Sequence, residues 1–177
     1  MIIGLTGYAQ SGKDTLAGML IGLHKYERIA FADKIRKLLY ETNPITACGH
    51  TGYLKDLVDR VGWDEAKKET QVRRLLQEIG VGARKVFGED FWVEQALKGV
   101  TPEDRFVITD VRFPNEAEAI KALGGQIWRV KRVGVGAVNQ HVSESAMDGY
   151  PVDQIFINNG SVDDLMALLQ TRMRQFV

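Results

Sequence analysis

The chain has 177 residues, 45% of them hydrophobic and 26% charged, with Lys plus Arg and Asp plus Glu both numbering 23. That length fits one domain with a sizeable core, and the ordinary composition, without repeats or low-complexity runs, excludes disorder as the default state. Zero formal charge offers polyanions no global field, and the lone Cys48 excludes an intramolecular disulfide and argues against a metal cluster.

The start Met1-Ile2-Ile3-Gly4-Leu5 is too short for the apolar region of a signal peptide, and no later segment reads as a membrane span. The expected location is therefore the cytoplasm, with neither a membrane nor a nucleic acid polymer as partner. Residues 2–6 read as a buried strand, and 14–24 as a helix with Leu16, Met19, Leu20 and Leu23 at helical spacing. Between them Gly7-Tyr8-Ala9-Gln10-Ser11-Gly12-Lys13 matches the G-x-x-x-x-G-K phosphate loop in the strand-to-helix setting that motif requires. Glycines let backbone N–H groups turn inward around phosphate oxygens, the following helix adds the positive end of its dipole, and Lys13 neutralises the β and γ phosphates. A surface lysine is the alternative, disfavoured where the dipole end is already positive. Asp14 stands where a hydroxyl usually reaches magnesium, and Thr15 follows one place later. This Lys-x-Thr ending resembles nucleoside monophosphate kinases of the adenylate kinase kind, with Thr15 donating to a phosphate and the metal held largely through waters. Asp14 is equally readable as a first-turn acid that stabilises the helix.

Residues 28–31 form a second predicted strand, and Asp33 is the predicted N-cap of a helix carrying Ile35, Leu38 and Leu39 that Asn43-Pro44 ends. Residues 45–62 read as an irregular insertion with a short helix over 54–61. Helices are predicted over 65–79 and 90–97, separated by a turn at Gly80, Gly82 and Gly88. A third strand over 106–109 delivers Asp110 from its end in the manner of a Walker B carboxylate aimed at magnesium or its waters. Turn chemistry is the alternative for Asp110. Arg112 suits an acceptor phosphate, its alternative being a salt bridge to Glu116 or Asp110. A helix over 116–123 stops at Gly124-Gly125, strands follow over 127–130 and 155–157, and a helix over 162–173 closes the chain. Strands alternating with helices imply a mostly parallel sheet of about five strands with ligands at the carboxyl ends.

Arg36, Arg73, Arg74, Arg129, Lys131 and Arg132 offer positive charge for a migrating phosphoryl group, and Gly134-Val135-Gly136 could close as part of a lid over about 132–150. His24, His50 and His141 form no hydrolytic constellation. A phosphate acceptor needs no general base, because its second pKa is about 6. A hydroxyl acceptor would call on Asp33 or Asp110.

The segments Gly-Tyr-Ala-Gln-Ser-Gly-Lys-Asp-Thr at 7–15, Phe-Ala-Asp-Lys-Ile-Arg-Lys at 31–37 and Val-Arg-Arg-Leu-Leu-Gln-Glu-Ile-Gly at 72–80 run in order along the chain. So do Asp-Phe-Trp-Val at 90–93, Thr-Asp-Val-Arg-Phe-Pro-Asn-Glu-Ala at 109–117, His-Val-Ser-Glu at 141–144 and Ile-Asn-Asn-Gly-Ser at 157–161. Together they resemble the bacteriophage deoxynucleoside monophosphate kinase family. The resemblance implies a single α/β P-loop kinase domain over 1–177, with a helical acceptor-binding region over about 33–100 and the lid. It implies ATP with magnesium as donor, a deoxynucleoside 5'-monophosphate as acceptor, and a homodimer. By position, Gln10, Ser11, Gly12, Lys13, Asp14 and Thr15 would cradle ATP. Arg36, Arg73, Gln77, Trp92, Asp110, Arg112 and Glu116 would line the acceptor side, and Arg132 would approach the phosphates. Lys13, Asp110, Arg112 and Arg132 would carry the catalytic step, with Asp110 reaching the metal through water. Trp92 has a second reading as a core tryptophan. The rival functions are a P-loop kinase of a dephospho-coenzyme A-like or phosphomevalonate-like acceptor, and a nucleotide-hydrolysing switch module.

Overall fold

The computed structural model describes residues 1–46, 52–136 and 145–176. Cys48, His50, His141 with the rest of the 141–144 motif, and the middle of the expected lid lie outside the described residues. The chain divides into two compact units, one of residues Met1–Ala30 with Gly99–Val177 and the other of Phe31–Lys98.

The first unit is built on five strands, β1 (Ile3–Thr6), β2 (Glu27–Ile29), β5 (Phe106–Ile108), β6 (Gln126–Lys131) and β7 (Gln154–Ile157). They pair in the order β2-β5-β1-β6-β7, and every pairing is parallel. Its helices include α1 (Lys13–His24), α6 (Pro114–Ala122) and the helix Val162–Met173, here α7, which a 3-10 turn over Arg174–Phe176 extends. The central strand β1 is buried at every position because both faces of the sheet are covered, as an all-parallel sheet requires. Ile3 and Leu5 pack into a cluster with Leu16 and Leu20 of α1, Leu165 of α7 and Trp128 of β6. Gly4 faces the other way, where an added Cβ would lie 2.8 Å from Ile120 of α6, so the strand glycine marks a close helix approach. Trp128 is fully buried and stacks near Phe156 at 5.2 Å between ring centroids, with its indole N–H given to Gln126 Oε1. The chain leaves β1 for strands on one side and returns for β6 and β7 on the other, which makes the carboxyl end of β1 the switch point where such sheets bind ligands.

The second unit holds α2 (Phe31–Thr42), an antiparallel pair of two-residue strands β3 (Ile45–Thr46) and β4 (Gly52–Tyr53), α3 (Leu54–Ala66), α4 (Thr70–Phe87) and α5 (Phe91–Leu97). Leu39, Leu54, Val58, Ala66 and Val72 form its core. Three expectations need correction here. The helix expected to start after an Asp33 cap begins at Phe31, so Asp33 lies in its first turn and pairs with Arg36 at 3.2 Å. The short helix expected over 54–61 runs on to Ala66 across a kink at Gly62, where φ is 76°. The turn expected at Gly80 and Gly82 is helix, and only Gly88, at φ 108°, ends it. Packing overrides the weak helix propensity of glycine at position 80, since the Trp92 indole donates to the Gly80 carbonyl at 2.9 Å and Ile35 of α2 lies close to its Cα.

Candidate active site

The phosphate loop springs from the carboxyl end of β1 and closes on the first turn of α1. Gly7 has φ 136°, and a Cβ there would fall 2.2 Å from the carbonyl oxygen of Val130, so only glycine fits against the neighbouring strand. Gly12 has φ 103° and serves as the N-cap of α1, its carbonyl accepting the first helical bond from the Leu16 N–H at 3.0 Å. A Cβ at Gly12 would meet the Asn158 amide nitrogen at 2.1 Å. Ser11 is 1% exposed, and its buried Oγ has no hydrogen-bond partner among the described residues. Lys13 curls over the loop and donates from Nζ to the carbonyls of Gly7 and Tyr8, at 2.7 Å each. A cradle that a Cβ would fill, an orphaned hydroxyl and a lysine reaching across the opening together fit the chemistry of a polyphosphate.

Beside the loop lies a cavity of about 380 Å³. One wall is Gln10, Gly12, Lys13, Asp14 and Thr15, and Arg132 also lines it, so most of the residues expected to hold ATP share one space with the expected lid arginine. The opposite wall is Asn158, Gly160, Ser161, Val162 and Leu165, from the β7–α7 turn and the start of α7. Ser161 caps α7 reciprocally with Asp164: the Asp164 N–H donates to Ser161 Oγ, and the Ser161 N–H and hydroxyl donate to Asp164 Oδ2, each at 2.8 Å. The bond from the Ser161 N–H, then that from its hydroxyl, hold the Asp164 carboxyl below its ordinary pKa.

The second expected loop follows β5, the strand directly beside β1. Thr109 N–H donates to Ile29 O and Val111 N–H to Leu5 O, which places half-buried Asp110 at the same end of the sheet as the phosphate loop. Arg112 is exposed, and its guanidinium forms no ion pair among the described residues, so neither of the salt bridges weighed for it is present. Glu116 is 8% exposed, and its Oε2 accepts from the N–H groups of Arg112 at 2.6 Å and Phe113 at 3.0 Å. With Pro114 at the first turn of α6, this carboxylate caps the helix and shapes the loop.

Several expected basic residues are committed elsewhere. Arg129 donates to the carbonyls of Asp148 and Tyr150, and also to that of Met147, which staples residues 147–150 to β6. Asp148 in turn accepts the Tyr8 hydroxyl at 2.8 Å, tying this segment to the phosphate loop. Tyr150 donates to Glu118, and burial first, with that bond second, pushes its pKa from 10.0 up to about 12.

Within the second unit, Arg73 and Gln77 are exposed one turn apart on α4, and so share a face. Arg36 pairs with Asp33, and Arg74 with Glu78 at 3.5 Å. Trp92 is 7% exposed with its N–H bonded to Gly80, the surroundings of a core tryptophan. The accessible aromatic surface there belongs to Phe87, 67% exposed and stacked on Phe91 at 4.9 Å. Phe87, Asn158 and Ser161 were not singled out from sequence. The motif around 157–161 is the one signal that pointed toward the last two.

Among the described residues no group of three or more His, Cys, Asp or Glu side chains is placed to hold a metal, and no helix is long and apolar enough to cross a membrane. A family model described as deoxynucleotide monophosphate kinase matches residues 52–169. The chain is 28% identical over 191 residues to the putative deoxynucleotide monophosphate kinase of Acanthamoeba polyphaga mimivirus, spanning 94% of this chain and 93% of that protein. The deoxynucleotide monophosphate kinases of Escherichia phage RB69 and Enterobacteria phage T4 are 28% and 27% identical over 109 residues, which is 58% of this chain and 45% of each relative. A putative kinase from Chloroflexus aurantiacus aligns over 98% of this chain and 96% of its own at 10% identity, with a TM-score of 0.45.

Proposed function

The chain belongs to the deoxynucleotide monophosphate kinase family, and from that premise we propose that it moves the γ-phosphoryl group of ATP onto the 5'-phosphate of a deoxynucleoside monophosphate, yielding ADP and a deoxynucleoside diphosphate. The observation that carries the donor side is the loop at Gly7 to Lys13 with the cavity beside it. Gly7 and Gly12 leave room that any side chain would fill, and Ser11 Oγ and Lys13 Nζ supply donors to a polyphosphate. Lys13 exchanges two neutral carbonyl acceptors for phosphate oxygens, which are the stronger, charge-assisted partners. The far wall at Asn158, Ser161, Val162 and Leu165 then receives the nucleoside end of the donor.

The reaction forms a bond from an acceptor phosphate oxygen to the γ phosphorus as the bond from that phosphorus to the bridging β–γ oxygen breaks. The demand on the protein is in-line placement and positive charge. Arg132 supplies charge from the wall of the donor cavity, and Arg112, exposed and without an ion pair among the described residues, is assigned to the acceptor phosphate. Magnesium, when bound, would neutralise phosphate charge, and Asp110 is the residue that would hold it, through water as magnesium's retained hydration favours. In the second unit, Arg73 is assigned to charge recognition and Gln77, on the same exposed face, to the edge of the acceptor base. Arg36 belongs to the same set, with its guanidinium oriented by Asp33. An acceptor phosphate is largely dianionic at pH 7, its second pKa being about 6, so no general base is required.

The test is a coupled assay with ATP, magnesium and a panel of deoxynucleoside monophosphates, ribonucleoside monophosphates, dephospho-coenzyme A and mevalonate phosphate. Turnover with one or more deoxynucleotides, and background ATP consumption without acceptor, is the expected result. Turnover of a non-nucleotide acceptor alone, or hydrolysis independent of any acceptor, would overturn the reading.

A further inference from the structure

The turn that follows β7 is held at both ends. Asn158 N–H donates to Lys131 O at 2.7 Å, extending the ladder with β6, and Ser161 starts α7 through its reciprocal cap with Asp164. Two side chains of this turn reach to different segments, one to the phosphate loop and one to the backbone beside Arg132. Asn158 is 8% exposed, and its Nδ2 donates to the Ser11 carbonyl at 2.9 Å inside the phosphate loop. Asn159 Oδ1 accepts from the N–H of Val133 at 2.9 Å, the residue immediately after Arg132.

A planar trans peptide points its C=O and N–H in opposite directions. The Ser11 carbonyl and the Gly12 N–H belong to one such unit, so anchoring the carbonyl on Asn158 turns the Gly12 N–H to the side away from Asn158. That N–H has no hydrogen-bond partner among the described residues. Glycine at φ 103° carries no side chain to resist rotation of this peptide, and a rotated peptide would present a carbonyl oxygen where an anion is to bind. Asn158 also fills the space over Gly12, at 2.1 Å from where a Cβ would stand.

We infer that Asn158 is a positioning residue that locks the Ser11–Gly12 peptide with its N–H available to phosphate, and that Asn159 holds the backbone beside Arg132 in register with that loop. The inference rests on the loop's role as the donor phosphate site. It adds what keeps the loop in its binding conformation, a task for which sequence spacing offers no candidate.

The experiment is steady-state kinetics with both substrates varied, together with calorimetric binding of ATP and thermal unfolding, on Asn158→Ala, Asn159→Ala and Lys13→Ala. Asn158→Ala is expected to raise the ATP KM and Kd about tenfold, the scale of one well-placed hydrogen bond, with the acceptor KM within about twofold of the parent. Asn159→Ala is expected to lower kcat more than it weakens ATP binding, because it loosens Arg132 and not the phosphate loop. An Asn158→Ala enzyme with an unchanged ATP KM, or with both KM values shifted alike, would overturn the inference. If Asn158→Ala does not fold, Asn158→Gln misplaces the same amide by one methylene and reads the same split. Failure of both to fold assigns Asn158 to the fold alone and also overturns it. Lys13→Ala separates the two levels: an inactive Lys13→Ala with a normal Asn158→Ala sinks only the positioning role, whereas an active Lys13→Ala sinks the donor site and the positioning role together.

Discussion

Gly7→Ala puts the geometry of the phosphate loop to its hardest test. The added methyl would stand 2.2 Å from the Val130 carbonyl oxygen, about 1 Å inside the closest ordinary carbon-to-oxygen contact of about 3.3 Å. That oxygen belongs to the backbone of β6, which pairs with β1 from Ile3 to Thr6, so it cannot swing aside as a side-chain tip would. The residue must also hold φ 136°, a cost of about 1–3 kcal/mol for a non-glycine residue. Overpacking adds about 1–3 kcal/mol, for a total of about 2–6 kcal/mol against a typical total stability of about 5–15 kcal/mol. At about 2–4 °C per kcal/mol for a chain of this size, the melting temperature should fall by about 4–24 °C, and the loop should shift away from β6. Gly18→Ala is the matched control, since nothing lies within 4 Å of its added methyl and it sits on the exposed side of α1. It should gain about 0.5–1 kcal/mol from reduced unfolded-state freedom. Thermal unfolding by circular dichroism, with kcat/KM for ATP measured well below both melting temperatures, provides the comparison. A Gly7→Ala protein that melts within about 2 °C of the parent and keeps its ATP KM would refute the close approach to β6 and the shape derived from it.

Lys13→Ala should remove transfer while the fold survives, because Nζ donates to loop carbonyls that water can satisfy in its absence; more than about a tenth of the parent kcat/KM, a loss under about 1.4 kcal/mol, would contradict the assignment. Asp110→Asn should lower kcat and alter its magnesium dependence, whereas Arg112→Ala should chiefly raise the acceptor KM; unchanged acceptor kinetics in Arg112→Ala would remove it from the acceptor site. Tyr150 supplies a pH prediction. Its folded pKa, raised from 10.0 to about 12, contributes stability that is fully present below pH 10 and is lost as pH rises through about 12. The melting-temperature advantage of the parent over Tyr150→Phe should therefore be constant below pH 10 and shrink between 10 and 12, and an advantage that grows over that range would contradict burial as the main cause.

What could be read from the sequence is what local chain geometry dictates. The phosphate loop was legible because positive φ restricts positions 7 and 12 to glycine, position 7 also lying against the β6 backbone, and the Lys13 spacing follows from the start of α1. The strands were legible because a parallel sheet covered on both faces needs short apolar runs, and Val162–Met173 was legible from its helical period. The errors occurred where a partner distant in sequence decides. Gly80 continues a helix because Trp92 and α2 pack on it, and Asp33 lost its capping role because buried Phe31 had already opened the helix. The surroundings of Trp92 follow from the same contact, which no single-chain pattern displays.

The residues whose roles were hardest to read share one property, namely that their partners are backbone atoms. Glu116 and Asp110 look alike in sequence, two acids in one short loop, yet the Glu116 carboxylate accepts from the Arg112 and Phe113 N–H groups and so fixes the backbone from which the Arg112 guanidinium projects. Asn158 does the same for the Ser11–Gly12 peptide, Asn159 for Val133, and Arg129 for residues 147–150. A side chain that bonds to backbone can serve whatever residue occupies the other end, so neither spacing nor residue type reveals the pairing. Such bonds also explain how a glycine-bounded loop keeps one shape, because the Ser11–Gly12 peptide is held by a side chain from another element. Precision at the phosphate loop therefore comes from residues that need never touch the nucleotide, and their loss should appear in substrate affinity and in the placement of charge before it appears in the fold.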